Sequence, residues 1–434
     1  MLIFPSSSSG SSHDLAVPPV LLLKSARLAD GRVTDVLTAE GAIVSVGADP
    51  AGYRAAAEVL NLRGYLLLPS LAEPHAHLDE AFTGMDSTGP GGPRHEAPGA
   101  GAAGLPGIPA ATPVTRAWAA ATRYLAHGTT AIRAHVHVGE EAGLRALEVM
   151  LDVRAGLAGV MDIQIVARSS VPVTGRAGAT NRSLLRRALA AGADVVGGAP
   201  ALDDNPGRAV EILAVVAADA GAGLDLHIDE ATDPAESTLP RLIRVAEAGF
   251  GYPITASLVA GLGMRSAERR PAVIRSLAHA GIGVVTLPQA SLARCGRGLG
   301  ASALRGLTVM RELLEAGVPV AAGGGNMQTP VASVGRADPL EAASLLAVAA
   351  QLTPAEAFAA VSSASRQIMR LPEVTIAPGS PADLVAVRAA DLGTAMATGT
   401  PDRIVLRAGQ VVARARAAAG LARPALQARR PVWS

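Results

Sequence analysis

Aromatic residues make up only 2% of this 434-residue chain, and their scarcity excludes one class of function. Proteins that grip single-stranded nucleic acid stack its bases on aromatic rings, and this sequence has few such platforms. Cysteine is scarcer still. Cys295 stands alone, so no internal disulfide can form, which fits a reducing cytoplasm as the expected location. Neither sign of charge is in excess: 38 Lys and Arg oppose 37 Asp and Glu, for a formal net charge of +1. That balance argues against nucleic acid or an anionic membrane surface as the main partner. No uninterrupted apolar run is long enough to span a bilayer. The N-terminus, Met1-Leu2-Ile3-Phe4-Pro5 and a serine-rich run to Ser12, lacks the basic and apolar regions of a secretory signal. Residues 1–17 therefore read as a disordered tail, and 417–434 as a second one at the C-terminus. What the chain does have is apolar bulk: 49% of it is hydrophobic, enough for a sizeable core built from Ala, Val, Leu and Ile.

From about residue 66 the sequence alternates apolar strand, loop and amphipathic helix. Candidate strands are 66–77, 130–138, 162–167, 193–197, 224–228, 253–259, 283–287 and 318–322. Helical stretches between them carry ordinary start and stop signals. Thr112-Pro113 supplies an N-cap and a first-turn proline, Gly128 closes that helix, and Gly317 closes another. Repeated βα units predict a (β/α)8 TIM barrel over residues 66–372, with its active site at the C-terminal ends of the strands. An open doubly wound sheet competes, but no Gly-x-Gly-x-x-Gly follows the first strand. The flanks differ: residues 18–65 and 373–416 hold short apolar segments separated by turns, which predict a small composite β-sandwich formed by both ends of the chain. Residues 84–109 are rich in Gly and Pro and too long for a routine connection, which suggests a lid, a binding loop or disorder.

The candidate chemistry lies at strand ends. His75 and His77 are two apart after an apolar run, so both point to one side of a strand and make half of a metal site. His227 ends the fifth candidate strand and can meet them in the barrel mouth. Three histidines can hold one divalent ion, zinc or iron, and leave a position open for water. Glu230 stands three residues beyond His227, within reach to move a proton. His135 and His137 share one face of the second strand and are expected to line the site and touch substrate. Arg168, after the third strand, suits a carboxylate or phosphate on a substrate. His279, near a helix C-terminus, reads as a dipole partner.

These residues make the chain similar to the amidohydrolase superfamily, within its cytosine deaminase-like branch. Glu73-Pro74-His75-Ala76-His77-Leu78-Asp79 resembles the first-strand metal motif, Arg133-Ala134-His135-Val136-His137-Val138 the second-strand segment, and Asp225-Leu226-His227-Ile228-Asp229-Glu230 the fifth-strand ligand with its proton-shuttling glutamate. Thr255-Ala256-Ser257, Gly296-Arg297, Arg305-Gly306-Leu307-Thr308 and Ala377-Pro378-Gly379-Ser380 follow the branch more weakly. The resemblance runs from about residue 20 to 415. It implies a metal-bound hydroxide that hydrolyses a C–N bond of a small cyclic nitrogenous substrate, by deamination or cyclic amide hydrolysis. His75, His77 and His227 would be the ligands and Glu230 the catalytic acid and base. It also implies a tendency to homo-oligomerise.

Two departures qualify that expectation. The branch has a histidine after Thr-Ala-Ser, where this chain has Leu258, and an aspartate at the end of strand eight, where it has Gly325. Neighbouring Asn326 can offer an oxygen to a metal or substrate but is no base near neutral pH. The ring-recognising glutamine of the branch is replaced by Arg168-Ser169-Ser170. The alternative is therefore a catalytically impaired or inactive relative that binds a ligand or partner in the same cup.

Overall fold

Strands buried on both faces are written as near-continuous apolar runs, because helices cover one side and packed side chains fill the other. The segment Thr129–Val138 is buried on both faces, in all of its residues but His137, yet it is not such a run: Arg133, His135 and His137 alternate with Ala134, Val136 and Val138. The computed structural model describes residues 20–47, 57–83, 112–230, 237–294, 308–325, 327–329 and 334–416. The 84–109 loop, Cys295, Asn326 and both tails lie outside the described residues.

The chain first forms β1 (Leu21–Arg27), β2 (Val33–Ala39), β3 (Ala42–Val46), β4 (Glu58–Asn61) and β5 (Leu66–Pro69). The barrel strands follow: β6 (Leu71–Ala76), β7 (Thr129–Val138), β8 (Asp162–Ser169), β9 (Val195–Gly198), β10 (Gly223–Ile228), β11 (Ile254–Leu258), β12 (Gly283–Thr286) and β13 (Val320–Ala322). Last come β14 (Leu384–Val387), β15 (Arg403–Arg407) and β16 (Gln410–Ala415). Strands β6 to β13 pair in sequence order as one eight-stranded sheet. The sheet curls until its first and last strands meet: Ala76 bridges Gly325, and the His77 N–H donates to the Gly325 carbonyl at 3.0 Å. The expected (β/α)8 barrel is thus the observed one.

The flanks combine in a second sheet of order β16-β15-β14-β5-β1-β2-β3, with β4 paired to β1. One strand is reassigned relative to the sequence reading. The run 66–77 is two strands, not one. Residues 66–69 pair with β14 and β1 in the flanking sheet, and only 71–76 belong to the barrel. The handover falls at Ser70, whose N–H donates to the Asp383 carbonyl of the flank, while the next N–H, of Leu71, donates to Gly128 beside the barrel. An apolar run reads the same in either sheet, so its hydrophobicity could not show the break.

Period-two alternation on β5 joins the two cores. Leu66 and Leu68 pack into the barrel's core cluster, while Leu67 packs into the flank's cluster with Leu23, Ile43 and Leu384. The helix Pro113–Ala126 begins as expected, with Thr112 Oγ1 accepting from the Thr115 N–H. It stops at Gly128, whose φ of +99° suits glycine; a Cβ there would lie 2.7 Å from Val385 Cγ2 of the flank. Buried ion pairs add directional ties. Arg403 on β15 reaches Asp338 through two bonds of 2.9 and 2.6 Å, and Asp338 caps the barrel helix Pro339–Ala349. Arg366 meets Asp383 at 3.1 Å. Among the described residues, no helix is long and apolar enough to cross a membrane.

Candidate metal centre

The parallel barrel strands deliver their C-terminal residues to one mouth, where sites form in this fold. Beta-strand alternation then selects which side chains enter. On β6 these are Glu73 and His75, with His77 just beyond; on β7, Arg133 and His135; on β10, Asp225 and His227. The β10–β11 register sets His227 opposite Ser257.

Four histidines converge. The ring of His75 stacks on His135 with centroids 3.7 Å apart and planes 24° apart, and His227 lies 4.8 Å from His75 and 5.6 Å from His77. His75 Nε2 and His77 Nε2 are 3.3 Å apart. Ring nitrogens of His75, His77 and His227 all fall within 4.8 Å of one another. His227 is anchored from outside the cluster: its Nδ1 and Glu230 Oε1 are 2.6 Å apart, and its Nε2 is buried with no hydrogen-bond partner. Nitrogen lone pairs aimed at a common point are what a cation requires. Burial, reinforced by the neighbouring rings and, at His77 and His135, by the charge of Arg168, holds His75, His77 and His135 well below the usual histidine range, so they are neutral and their lone pairs are available.

The surroundings hold both polar and apolar groups. Asp225 accepts from Arg133 Nη1 at 2.9 Å and from Ser257 Oγ at 2.7 Å, and Ser257 Oγ lies 2.9 Å from His75 Nδ1. His135 Nε2 stands 3.6 Å from Asp225 Oδ2, and neither of its ring nitrogens has a hydrogen-bond partner. Leu258, Val285, Leu287 and Ala321 pack together as an apolar cluster, and Leu287 stands against Gly323 and Gly325. Leu258 and Val259 both adopt positive φ, of +79° and +50°, and the Leu258 carbonyl accepts from Thr308 Oγ1 at 2.7 Å.

His137 is not part of the cluster. Its Nε2 pairs with Ser170 Oγ at 2.7 Å, and burial, helped by Arg168, pushes it down to about 4. Arg168 sits at the rim, with one nitrogen 3.4 Å from Glu80 and its Nε buried without a partner. Beside it, burial pushes Asp79 up to about 6 against the pull of Arg168. His127 caps the helix before Gly128, with Nδ1 3.0 Å from the Ala337 carbonyl, and His279 ends the helix Arg270–His279.

The glycine run after β13 has a structural reason. Glu73 is fully buried beneath it and accepts from the Gly324 N–H at 2.8 Å and the His75 N–H at 3.1 Å, with Tyr124 as a further partner. A Cβ on Gly323 would stand 2.3 Å from Glu73 Oε1. Burial pushes Glu73 up to about 8 against those donors. Gly325 has a φ of +69°, and a Cβ there would meet Leu287 Cδ1 at 3.2 Å.

Sequence reasoning did not single out Asp225, Ser257, Arg133 or Glu73. One available signal would have found three of them. Asp225, Arg133 and Glu73 each stand two residues before a site histidine, so the same alternation puts them on the same face, one layer deeper. Ser257 needs the β10–β11 register, which only pairing reveals.

Residues 108–413 match the sequence profile of the Amidohydrolase family. The chain is 29% identical over 397 residues to a pterin deaminase of Rhizobium rhizogenes, covering 89% of this chain and 87% of that protein. Among solved structures, it is similar to N-isopropylammelide isopropylaminohydrolase from Burkholderia multivorans, with 28% identity, a TM-score of 0.75, and coverage of 92% of this chain and 99% of that one. It also shares the fold of a 5-methylcytosine deaminase from Klebsiella pneumoniae, at 24% identity and a TM-score of 0.74, over 90% of this chain and 97% of that one.

Proposed function

Because the chain belongs to the amidohydrolase family, we propose that it is a metal-dependent hydrolase that cleaves a C–N bond of a small cyclic nitrogenous substrate, by deamination or cyclic amide hydrolysis. The observation that carries this reading is the 3.3 Å approach of His75 Nε2 and His77 Nε2, with His227 completing the set. Two nitrogens bound to one tetrahedral zinc at about 2.0–2.1 Å lie about 3.3 Å apart, so the pair already has the spacing of ligands. His75, His77 and His227 would hold one zinc or iron ion. Such an ion supplies Lewis acidity and brings the pKa of water down toward neutrality.

The chain's own residues do the rest. Glu230 keeps the His227 ring in place through Oε1 and, as a carboxylate beside the cup, would take a proton from the attacking water and, as the carboxylic acid so formed, pass it to the leaving nitrogen. Arg168 and His137 line the rim where polar groups of the substrate bind, with Asn326 as a further contact. The apolar cluster of Leu258, Val285 and Leu287 would exclude water from one side of the ring. The names of the pterin deaminase and of the N-isopropylammelide aminohydrolase support a ring-borne amino or alkylamino group as what is removed.

A specific pair of observations favours a second reading, a catalytically impaired relative that binds a ligand in the same cup. Leu258 packs into the apolar cluster, and Gly325 spends its backbone on closing the barrel, so neither offers a side chain to activate water.

Elemental analysis of the purified protein, beside a His75→Ala/His77→Ala control, separates the readings together with an ammonia-release screen of aminopteridines, aminopyrimidines and aminotriazines. The hydrolase reading expects about one zinc or iron per chain, lost in the control, and ammonia from some member of the panel. Metal without turnover on any ring favours the second reading. No metal, even after loading with Zn²⁺ or Fe²⁺, removes the first.

A further inference from the structure

We propose that Asp225 and Ser257, anchored by Arg133, are positioning residues that lock His75 in its Nδ1–H tautomer and so keep its Nε2 lone pair turned toward His77 and His227. The proposal rests on the reading of those histidines as metal ligands, and its logic is proton counting. Asp225 faces Arg133 at 2.9 Å and acts only as an acceptor, so the single hydroxyl proton of Ser257 goes to Asp225 Oδ1, at 2.7 Å. The Ser257 oxygen can then only accept from His75 Nδ1, at 2.9 Å. The proton of a neutral imidazole is thereby fixed on Nδ1, and Nε2 is left with its lone pair. His75, Ser257 and Asp225 are each 0% exposed, so solvent does not stand in for any of the partners. His135 does not compete for Asp225, because 3.6 Å is beyond hydrogen-bond distance.

The three candidate ligands are therefore held differently. His227 is fixed by Glu230 directly, and His75 by Asp225 through a hydroxyl. His77 Nδ1 is buried with no hydrogen-bond partner, so no outer group orients its ring. Two ligands are held from outside the cluster and the third is not. Outer groups that orient metal-binding imidazoles commonly contribute about 10–100-fold to metal affinity.

Reversing the relay is possible with one atom. In Asp225→Asn, Arg133 claims the amide oxygen, because the guanidinium only donates, and the NH2 group turns to Ser257. Ser257 then accepts from Asn, and its hydroxyl proton, no longer claimed by a carboxylate, turns to His75 Nδ1, which favours the ring proton on Nε2 and blocks the lone pair. Ser257→Ala merely removes the lock. Asp225→Asn is therefore expected to be the more damaging substitution, although it conserves shape and hydrogen-bond count.

The test uses full-length, metal-free protein labelled with 15N-histidine. Long-range 1H–15N spectra report the tautomer of His75, identified by its loss in His75→Gln. Wild type should show Nδ1–H at His75, and Asp225→Asn should show Nε2–H. Zinc affinity by chelator competition should fall about 10–100-fold in Ser257→Ala and further in Asp225→Asn. Circular dichroism and melting curves check that each variant folds, and Ser257→Ala keeps the comparison available if Asp225→Asn does not. An Nε2–H His75 in wild type, or zinc affinities equal across the three proteins, would overturn the relay. A wild type that takes up no zinc defeats the ligand reading instead, and the tautomer spectra then decide the relay by themselves.

Discussion

A histidine buried beside an arginine resists protonation, and His137 is placed that way. Burial and Arg168 push it down to about 4. Above the unfolded histidine value both states are neutral and the stability is fully present. As pH falls from about 6.5 to about 4, the unfolded chain takes a proton that the folded chain refuses, and up to about 3 kcal/mol is lost. His137→Gln should flatten that part of the acid limb in urea unfolding between those pH values; an unchanged profile would count against the burial account. Glu230 makes a different prediction, tied to the proposed chemistry. Glu230→Gln keeps an acceptor for His227 Nδ1 but removes the titratable proton. Metal content should stay while kcat drops by about 10²–10⁴. Unaltered turnover would mean that Glu230 only orients the ring.

The seam between β6 and β13 shows what an element requires of its residues. Glycine stands at 323 because the carboxyl of Glu73 fills the space a Cβ would take, and at 325 because the backbone must turn left-handed to pair with His77. Alanine at 325 should cost about 1–2 kcal/mol through its φ alone. Alanine at 323 should cost more, because it displaces a fully buried, hydrogen-bonded carboxyl on top of about 1–3 kcal/mol for overpacking. Thermal unfolding of both variants checks the order. Nothing in the local sequence distinguishes these glycines from a loose loop. The run Gly323-Gly324-Gly325 reads as a lost catalytic aspartate, and its packing role is visible only when β6 lies beside it.

For the whole molecule, the union of barrel and flank rests on side chains from distant parts of the chain. Arg403 and Asp338 are 0% and 4% exposed and share a two-bond contact. Arg403→Met strands a buried carboxylate and should cost about 3–5 kcal/mol, while the double variant Arg403→Met/Asp338→Asn should regain most of it, since Asn still caps the helix. Denaturant unfolding of both variants decides. Equal losses in the two would show that Arg403 matters through packing rather than charge.

Local rules determined much of this protein. Apolar runs, helix caps at Thr112 and Gly317, and the spacing of His75, His77, His227 and Glu230 depend on neighbours in sequence, and periodicity reports them faithfully. The barrel, the paired flanks and the convergence of the three histidines followed from that information. Tertiary structure alone decided the rest, because the partners are far apart in sequence. It assigned residues 66–69 to the flank, stacked His135 on His75, and sent His137 to Ser170. It also set Ser257 between Asp225 and His75. An apolar run does not say which sheet it joins, and a histidine on the right face of a strand does not say which nitrogen will find a donor. Those choices are made by strand register and by the closure of the barrel at Gly325, which bring β6 against both β7 and the end of β13.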